Sequence, residues 1–220
     1  MGVVNLYSTD FYKLALARLQ PQGIVAQWLP LSTQNDEDTR SLVRSFIDVF
    51  PQVSLWTTEL HEMLLVGSIE PIQLDVPQII QRFNQTDVAS ALREVGISSP
   101  EALLSTWVTD RTGLKIYASD VLPVTDNYPR IEYADWVRYD ELQRTMPHIM
   151  GVRTDPPLKG ADRIFEEEVA TKRQLLLTFY QAALNGAAGH QDLWAKDMRV
   201  VLEGDSENVY FKWFVGGGVQ

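Results

Sequence analysis

Apolar residues recur at helical spacing, then in a strand-length run, and then at helical spacing again along the first 50 positions. In STDFYKLALARL (8–19), Phe11, Leu14 and Ala15 fall at i, i+3 and i+4. Ser8 or Thr9 can cap that helix, and Asp10 stands in its first turn. Pro21 and Gly23 end it. The run GIVAQWLPL (23–31) follows, strand-like but interrupted by Gln27 and Trp28 and closed by Pro30. The polar STQNDED leads into a helix over about 37–50, capped by Asn35 or Asp36. Leu42, Val43, Phe46, Ile47 and Phe50 form its buried face, with Arg40 and Arg44 outside. Val53–Thr57 and Met63–Gly67 read as strands joined by a short polar turn, too short for a helical crossover, so they should be antiparallel neighbours. A helix joins the first two strands, which predicts a right-handed parallel crossover. The expected sheet is open and mostly parallel, finished by one antiparallel strand.

Beyond Pro71 the pattern turns helical and irregular. PQIIQRF, DVASALREVG and SPEALLSTWV read as short helices, the last with Ser99 as cap and Pro100 at its first helical position. Residues 110–140 are rich in Asp, Pro and Tyr and carry no clear period. From about Asp162 to Phe214 helices return: EEEVATKRQLLLTFYQAALNG ended by Gly186, then DLWAKDMRVVLEGD, then SENVYFKWF. Two long antiparallel helices and a third start suggest one tetratricopeptide-like unit, which cannot bury its own face alone and is expected to pack on the α/β part.

Composition narrows the chemistry. Of 220 residues 45% are hydrophobic and 22% charged, ordinary usage for a chain with a real core. The net charge of -10 opposes binding to nucleic acid or an anionic membrane and suits a cationic partner such as a polyamine. There is no cysteine, which excludes disulfides, thiolate metal sites and a Cys nucleophile and fits a reducing, cytoplasmic setting. His61, His148 and His190 have no ligand spacing, so no metal is expected. No segment has the length and apolarity of a membrane span.

NLYSTDFYKLALARLQPQGIVAQWLP, then DTRSLVRSFIDVFPQVSLW and LLVGS, resemble the C-terminal half of a spermidine synthase-like domain, of the polyamine aminopropyltransferase family. TDNYPRIEY (125–133) and the tail ending ENVYFKWFVG resemble the long bacterial variety, often encoded with a transporter-like membrane segment. The resemblance covers roughly residues 3–215. It implies the C-terminal half of a class I methyltransferase-like Rossmann fold with a C-terminal helical extension. Residues 1–71 would be the partial Rossmann-like domain, 72–150 a helical and irregular insertion completing it, and 151–220 the tetratricopeptide-like tail. The family's co-substrate is decarboxylated S-adenosylmethionine, whose aminopropyl group passes to an amine. The family's Gly-rich nucleoside turn and catalytic Asp would lie upstream of Met1, and no G-x-G-x-x-G turn follows a strand here. The chain is therefore expected to be a fragment, inactive alone, whose complete protein is membrane-attached. A non-catalytic assembly module is the alternative, docking a separately encoded N-terminal half or forming homo-oligomers. A methyltransferase relative is a further one.

Two groups of residues carry the candidate chemistry. Open α/β sheets bind ligands at the carboxyl ends of their strands. By resemblance Gln27 falls near the Gln that contacts the amine, and otherwise it is a structural hydrogen-bonding residue. Trp28 either packs or stacks on a ligand. Asp126, Glu132 and Tyr133 could receive a diammonium, with Tyr128 covering its methylenes; alternatively Arg130 pairs with Asp126 or Glu132 and pins a loop. Typical spermidine synthases carry a Pro-Tyr-Ser-Gly-like loop at this stage, which is absent here. Asp36, Glu37 and Asp38 read as a charged helix start serving the helix dipole.

Overall fold

The computed structural model describes residues 4–129, 137–138 and 140–216. They form a mixed α/β protein in two compact units. One comprises Met1–Ile72 with Trp107–Pro156, the other Gln73–Thr106 with Pro157–Gln220. This grouping differs from division at 71 and 150. The chain leaves the first unit near residue 72 and returns to it at Trp107.

The first unit opens with a 3-10 turn (Val4–Tyr7) and helix α1 (Thr9–Leu16), whose N-cap Ser8 accepts a hydrogen bond from the Phe11 amide. Strand β1 (Ile24–Pro30), helix α2 (Asp36–Ile47) and the hairpin β2 (Gln52–Glu59) and β3 (Glu62–Ser68) follow. The two strands pair antiparallel as expected, with Trp56 opposite Leu64 and Val53 opposite Gly67. The sheet, however, is not mostly parallel. Its order is β1-β3-β2-β5, where β5 is Trp107–Asp110, and every neighbouring pair is antiparallel. The cause is the hairpin turn, which folds β3 back on the side of β2 that faces β1. β1 and β2 therefore keep a common direction, as their helical crossover requires, without touching.

Directly paired residues share a sheet face. On one face Leu29, Val53, Leu55, Met63 and Leu65 are buried. The face of α2 read from the sequence, Leu42, Val43, Phe46 and Ile47, is buried too, with Phe50 just beyond it. Tyr12, Phe46 and Phe50 pack edge-on and tilted, with ring centroids 4.5–5.9 Å apart. Gly67 lets these rings meet β3: a Cβ there would lie 2.7 Å from Phe50 and 2.8 Å from Phe46. On α1 the inward residue is Tyr12, fully buried, whereas Leu14 of the expected stripe is 58% exposed. An eight-residue helix has room for one dominant contact row, and the large ring at 12 occupies it.

Trp107 and Val108, read as a helix end, are instead the start of β5, and Thr106 is the C-cap of the helix before it. There Trp107 faces Trp56 across the strands in a T-shaped pair at 5.1 Å, an aromatic cross-strand contact that favours the strand state. The irregular-looking region 110–140 holds helix α6 (Arg111–Tyr117), and helix α7 (Glu141–Gly151), with Pro147 inside it, follows directly after. Arg111 donates to the Ile47 and Phe50 carbonyls, placing a cation on the C-terminus of α2.

In the second unit β4 (Leu74–Asp75) pairs parallel with β6 (Leu158–Lys159). Helices α3 (Val76–Phe83), α4 (Thr86–Glu94) and α5 (Pro100–Ser105) follow β4, and Ser99 caps α5 as its sequence predicts. Helix α8 (Arg163–Ala187) and helix α9 (Gln191–Gly204) form a hairpin whose turn uses Gly189 at φ 78°, not a stop at Gly186. Helix α10 (Val209–Gly216) adds Phe211, which lies 4.9 Å from the buried Phe179 ring. Among the described residues no helix is long and apolar enough to cross a membrane.

Candidate functional site

β1 is an edge strand, so alternate backbone groups along it have no strand partner. The Leu31 amide bonds the His61 carbonyl on the β3 side, which turns the groups of even-numbered residues outward. The outward carbonyl of Trp28 is taken up by side chains. The Tyr7 hydroxyl donates to it at 2.9 Å and Gln27 Nε2 donates at 3.3 Å. Burial raises the Tyr7 pKa, and the Gln27 side chain beside it partly offsets the rise. Tyr7 and Gln27 thus share one acceptor, a triangle with the Trp28 carbonyl at its apex on the free edge of β1.

The triangle engages the Gln27 amide nitrogen once and leaves its carbonyl oxygen, Oε1, without a hydrogen-bond partner among the described residues. Gln27 is half-buried and Trp28 is 45% exposed. Trp28 makes no ring stack with another aromatic side chain among the described residues, so its indole remains available. Behind the triangle, the Tyr12 hydroxyl is buried with no hydrogen-bond partner among the described residues, and burial holds its pKa far above the usual phenol range. An unpaired buried hydroxyl destabilises by about 1–3 kcal/mol. Tyr12→Phe, which keeps the ring packing, should therefore leave thermal stability unchanged or raise it. A fall in the midpoint of thermal unfolding would mean that the hydroxyl has a partner.

A second polar cluster gathers at the N-terminus of α2. Asp36 is 5% exposed and both its oxygens are engaged. Oδ1 accepts from the Tyr117 hydroxyl at 3.0 Å. Oδ2 lies 3.2 Å from His148 Nδ1 and 2.9 Å from Arg40 Nε, the last close enough for an ion pair but off the line of a hydrogen bond. The Asp36 amide donates to Glu141 Oε1 at 2.6 Å, and Glu141, 1% exposed, also pairs with Arg138. Arg40 reaches Asp120 as well. Burial pulls the Arg40 pKa down, but Asp120 and Asp36 outweigh it and raise it. Burial, and then the Asp36 charge, raise the Tyr117 pKa well above its usual value. Arg40, outside the apolar face of α2, is thus no solvated residue, and Asp36 does more than serve the helix dipole: together they latch α2 to α6 and α7. Because its acceptors are satisfied from within the chain, this cluster holds the fold and offers a ligand little.

Sequence reasoning missed the partners of Asp36 because they lie 81 to 112 positions away. One signal was present. Glu141, Thr145 and His148 follow i, i+4, i+7 and mark a polar helical face, which the irregular composition before them obscured.

Asp126 stands on a tight turn in which Thr125 bridges to Tyr128, and its amide donates to Asp10 of α1 at 3.0 Å. Its side chain is exposed, as is Tyr128. No hydrogen bond or ion pair joins Asp126 to Gln27 or Trp28 among the described residues. Glu132, Tyr133 and Arg130 lie outside the described residues, so the proposed carboxylate pair is represented only by Asp126. No group of three or more His, Asp or Glu among the described residues is arranged to hold a metal ion. Comparison of the chain with protein-family models, with curated proteins and with solved structures returned no match.

Proposed function

We propose that this chain supplies the amine-facing part of a spermidine synthase-like aminopropyltransferase, built on the C-terminal half of a class I methyltransferase-like Rossmann domain. The observation that carries the reading is the Gln27 amide on β1, held through its nitrogen, with its carbonyl oxygen free on the open edge of the strand. An amine acceptor needs an oxygen acceptor to orient its N–H groups; Trp28, the next residue of the strand, lies on the opposite sheet face. Two further features agree. β1 and β2 run in one direction with the later β3 against both, as the helical crossover and the hairpin read from the sequence require. The net charge of -10 favours a polycationic acceptor.

In the reaction the amine nitrogen attacks the carbon beside the sulfonium of decarboxylated S-adenosylmethionine. The carbon–sulfur bond breaks with its electron pair going to sulfur, methylthioadenosine leaves, and the new ammonium gives its extra proton to a base. By the resemblance, that base and the nucleoside-binding turn are outside these 220 residues. Acting alone, the chain should bind 1,4-diaminobutane weakly and methylthioadenosine not at all. Calorimetric titration tests both. Gln27→Ala should weaken the diamine by about tenfold, the effect of roughly one charge-assisted hydrogen bond. Micromolar binding of methylthioadenosine would overturn the division of the site, and a wild-type chain indifferent to millimolar diamine would overturn the amine-facing role.

A further inference from the structure

We infer that the face of the four-stranded sheet turned away from α2 is a docking surface for a basic protein segment, recognised through its arginine side chains. The pairing register builds a row across all four strands: Trp28 opposite Leu64, Leu64 opposite Trp56, and Trp56 opposite Trp107. Directly paired residues share a sheet face, and alternation along each strand puts Gln27, Leu65 and Leu55 on the other one. That other face is where Gly67 meets Phe46 and Phe50. The Trp row is partly open: Trp107 is buried, Trp56 and Leu64 are half-buried, and Trp28 is exposed, with Ala26 and Ile24 continuing the exposed strip along β1. Trp56 is held in place, because its Nε1 donates to Ser54 Oγ at 2.8 Å and its ring meets Trp107 at 85°.

The next row along the same face is Pro30, Glu62 and Glu59. The register shift after Thr57 brings Glu59 directly opposite Glu62 at the end of the β2–β3 hairpin. Like charges in that relation destabilise a strand pair. Among the described residues neither carboxylate has an ion-pair partner to offset this. Glu62 is the diagonal neighbour of both Trp28 and Trp56, and diagonal neighbours about 7–8 Å apart are within reach of aromatic and long side chains. The surface therefore combines indole rings with unpaired negative charge, which is what a cation seeks: the ring quadrupole attracts it and the carboxylate neutralises it. Arginine suits the arrangement best, since its planar guanidinium stacks on an aromatic ring while its N–H fork takes a carboxylate. A pleated sheet face is broad rather than concave, so it fits a protein segment and not a small molecule, which needs a cavity to bury most of its surface. The net charge of -10 favours a basic partner over nucleic acid or an anionic membrane.

The test uses the full chain with its tryptophan indoles isotopically labelled and followed by NMR, titrated at low salt with a capped Gly-Arg-Gly-Arg-Gly peptide. The Trp28 and Trp56 indole signals should shift together, while those of Trp194 and Trp213 stay still. The matching Gly-Lys-Gly-Lys-Gly peptide should bind about threefold more weakly. Trp28→Leu should weaken the arginine peptide by about fivefold, and Trp28→Phe, which keeps a ring, should fall between it and wild type. Glu59→Gln combined with Glu62→Gln should also weaken it by about fivefold. That double variant should unfold at a slightly higher temperature in the absence of peptide, which shows that weakened binding does not come from a damaged hairpin. Indole signals of Trp28 and Trp56 that do not move at millimolar peptide would overturn the inference. So would a lysine peptide that binds as tightly as the arginine one, or unchanged binding in Trp28→Leu or in the double glutamine variant. Arginine amide alone binding as tightly as the peptide would make this a site for small cations, and the docking of a protein segment would fall.

Discussion

Asp36→Ala should lower the unfolding free energy by about 3 kcal/mol, because it strips one partner from a buried set whose other members stay behind. Arg40 would keep the exposed Asp120 but lose its buried carboxylate. The Tyr117 hydroxyl, almost wholly enclosed, would lose its acceptor. The substitution also removes contacts to three elements at once, since Asp36 touches α6 through Tyr117 and α7 through His148 while itself starting α2. Asp36→Asn should cost less, about 1–2 kcal/mol, because the amide can still accept from Tyr117 while losing the charge that pairs with Arg40. Chemical denaturation of the three proteins gives the order wild type, Asn, Ala. An alanine variant within about 0.5 kcal/mol of wild type would mean that solvent replaces the latch without loss.

Gly67→Ala should be nearly as damaging, by the opposite route. The added methyl would sit 2.7 Å from a Phe50 ring carbon and 2.8 Å from two Phe46 ring carbons, well inside contact distance. Neither ring can retreat freely: both are fully buried, 4.5 Å apart, and wedged by Tyr12. Overpacking of this kind costs about 2–3 kcal/mol. Phe46→Leu alone should also destabilise, but combined with Gly67→Ala it should cost less than the sum of the two, because the smaller side chain admits the methyl. Strict additivity in that double-mutant cycle would show that the strain is relieved elsewhere, by movement of β3.

The legible parts of this fold are those whose cause is local. The hairpin over β2 and β3 needs only two apolar runs and a short turn, and the buried face of α2 needs only the spacing of Leu42, Val43, Phe46 and Ile47. Ser99 and Pro100 announce α5 by the same short-range chemistry. What escaped the sequence is set by distant partners. The position of β3 between β1 and β2 depends on which side of a hairpin faces which strand, and local periodicity does not encode that. Trp107 reads equally as a helix end or a strand start until Trp56 stands opposite it. Gln27 was singled out from the sequence as a polar interruption of a strand, but Tyr7, which shares the Trp28 carbonyl with it, lies 20 positions earlier in the chain. Asp126 belongs to the same candidate group in sequence and is tied instead to Asp10.

Helix α2 is fastened at both ends by residues that the ribosome makes much later. Its first amide is held by Glu141, 105 positions on, and its last turn by Arg111, 64 positions on, after the chain has spent residues 73–106 in the other unit. Loops of that length close slowly, and their closure must precede the contacts that reward it. A growing chain that has emerged only as far as the β2–β3 hairpin therefore carries α2 unlatched at both ends, and β2 without β5 beside it. The first unit cannot reach its final stability until the chain has been made as far as α7. For that interval its partly assembled sheet has an extra open edge, and the two large exposed apolar residues of β1, Ile24 and Trp28, are the groups nearest to hand for a wrong partner.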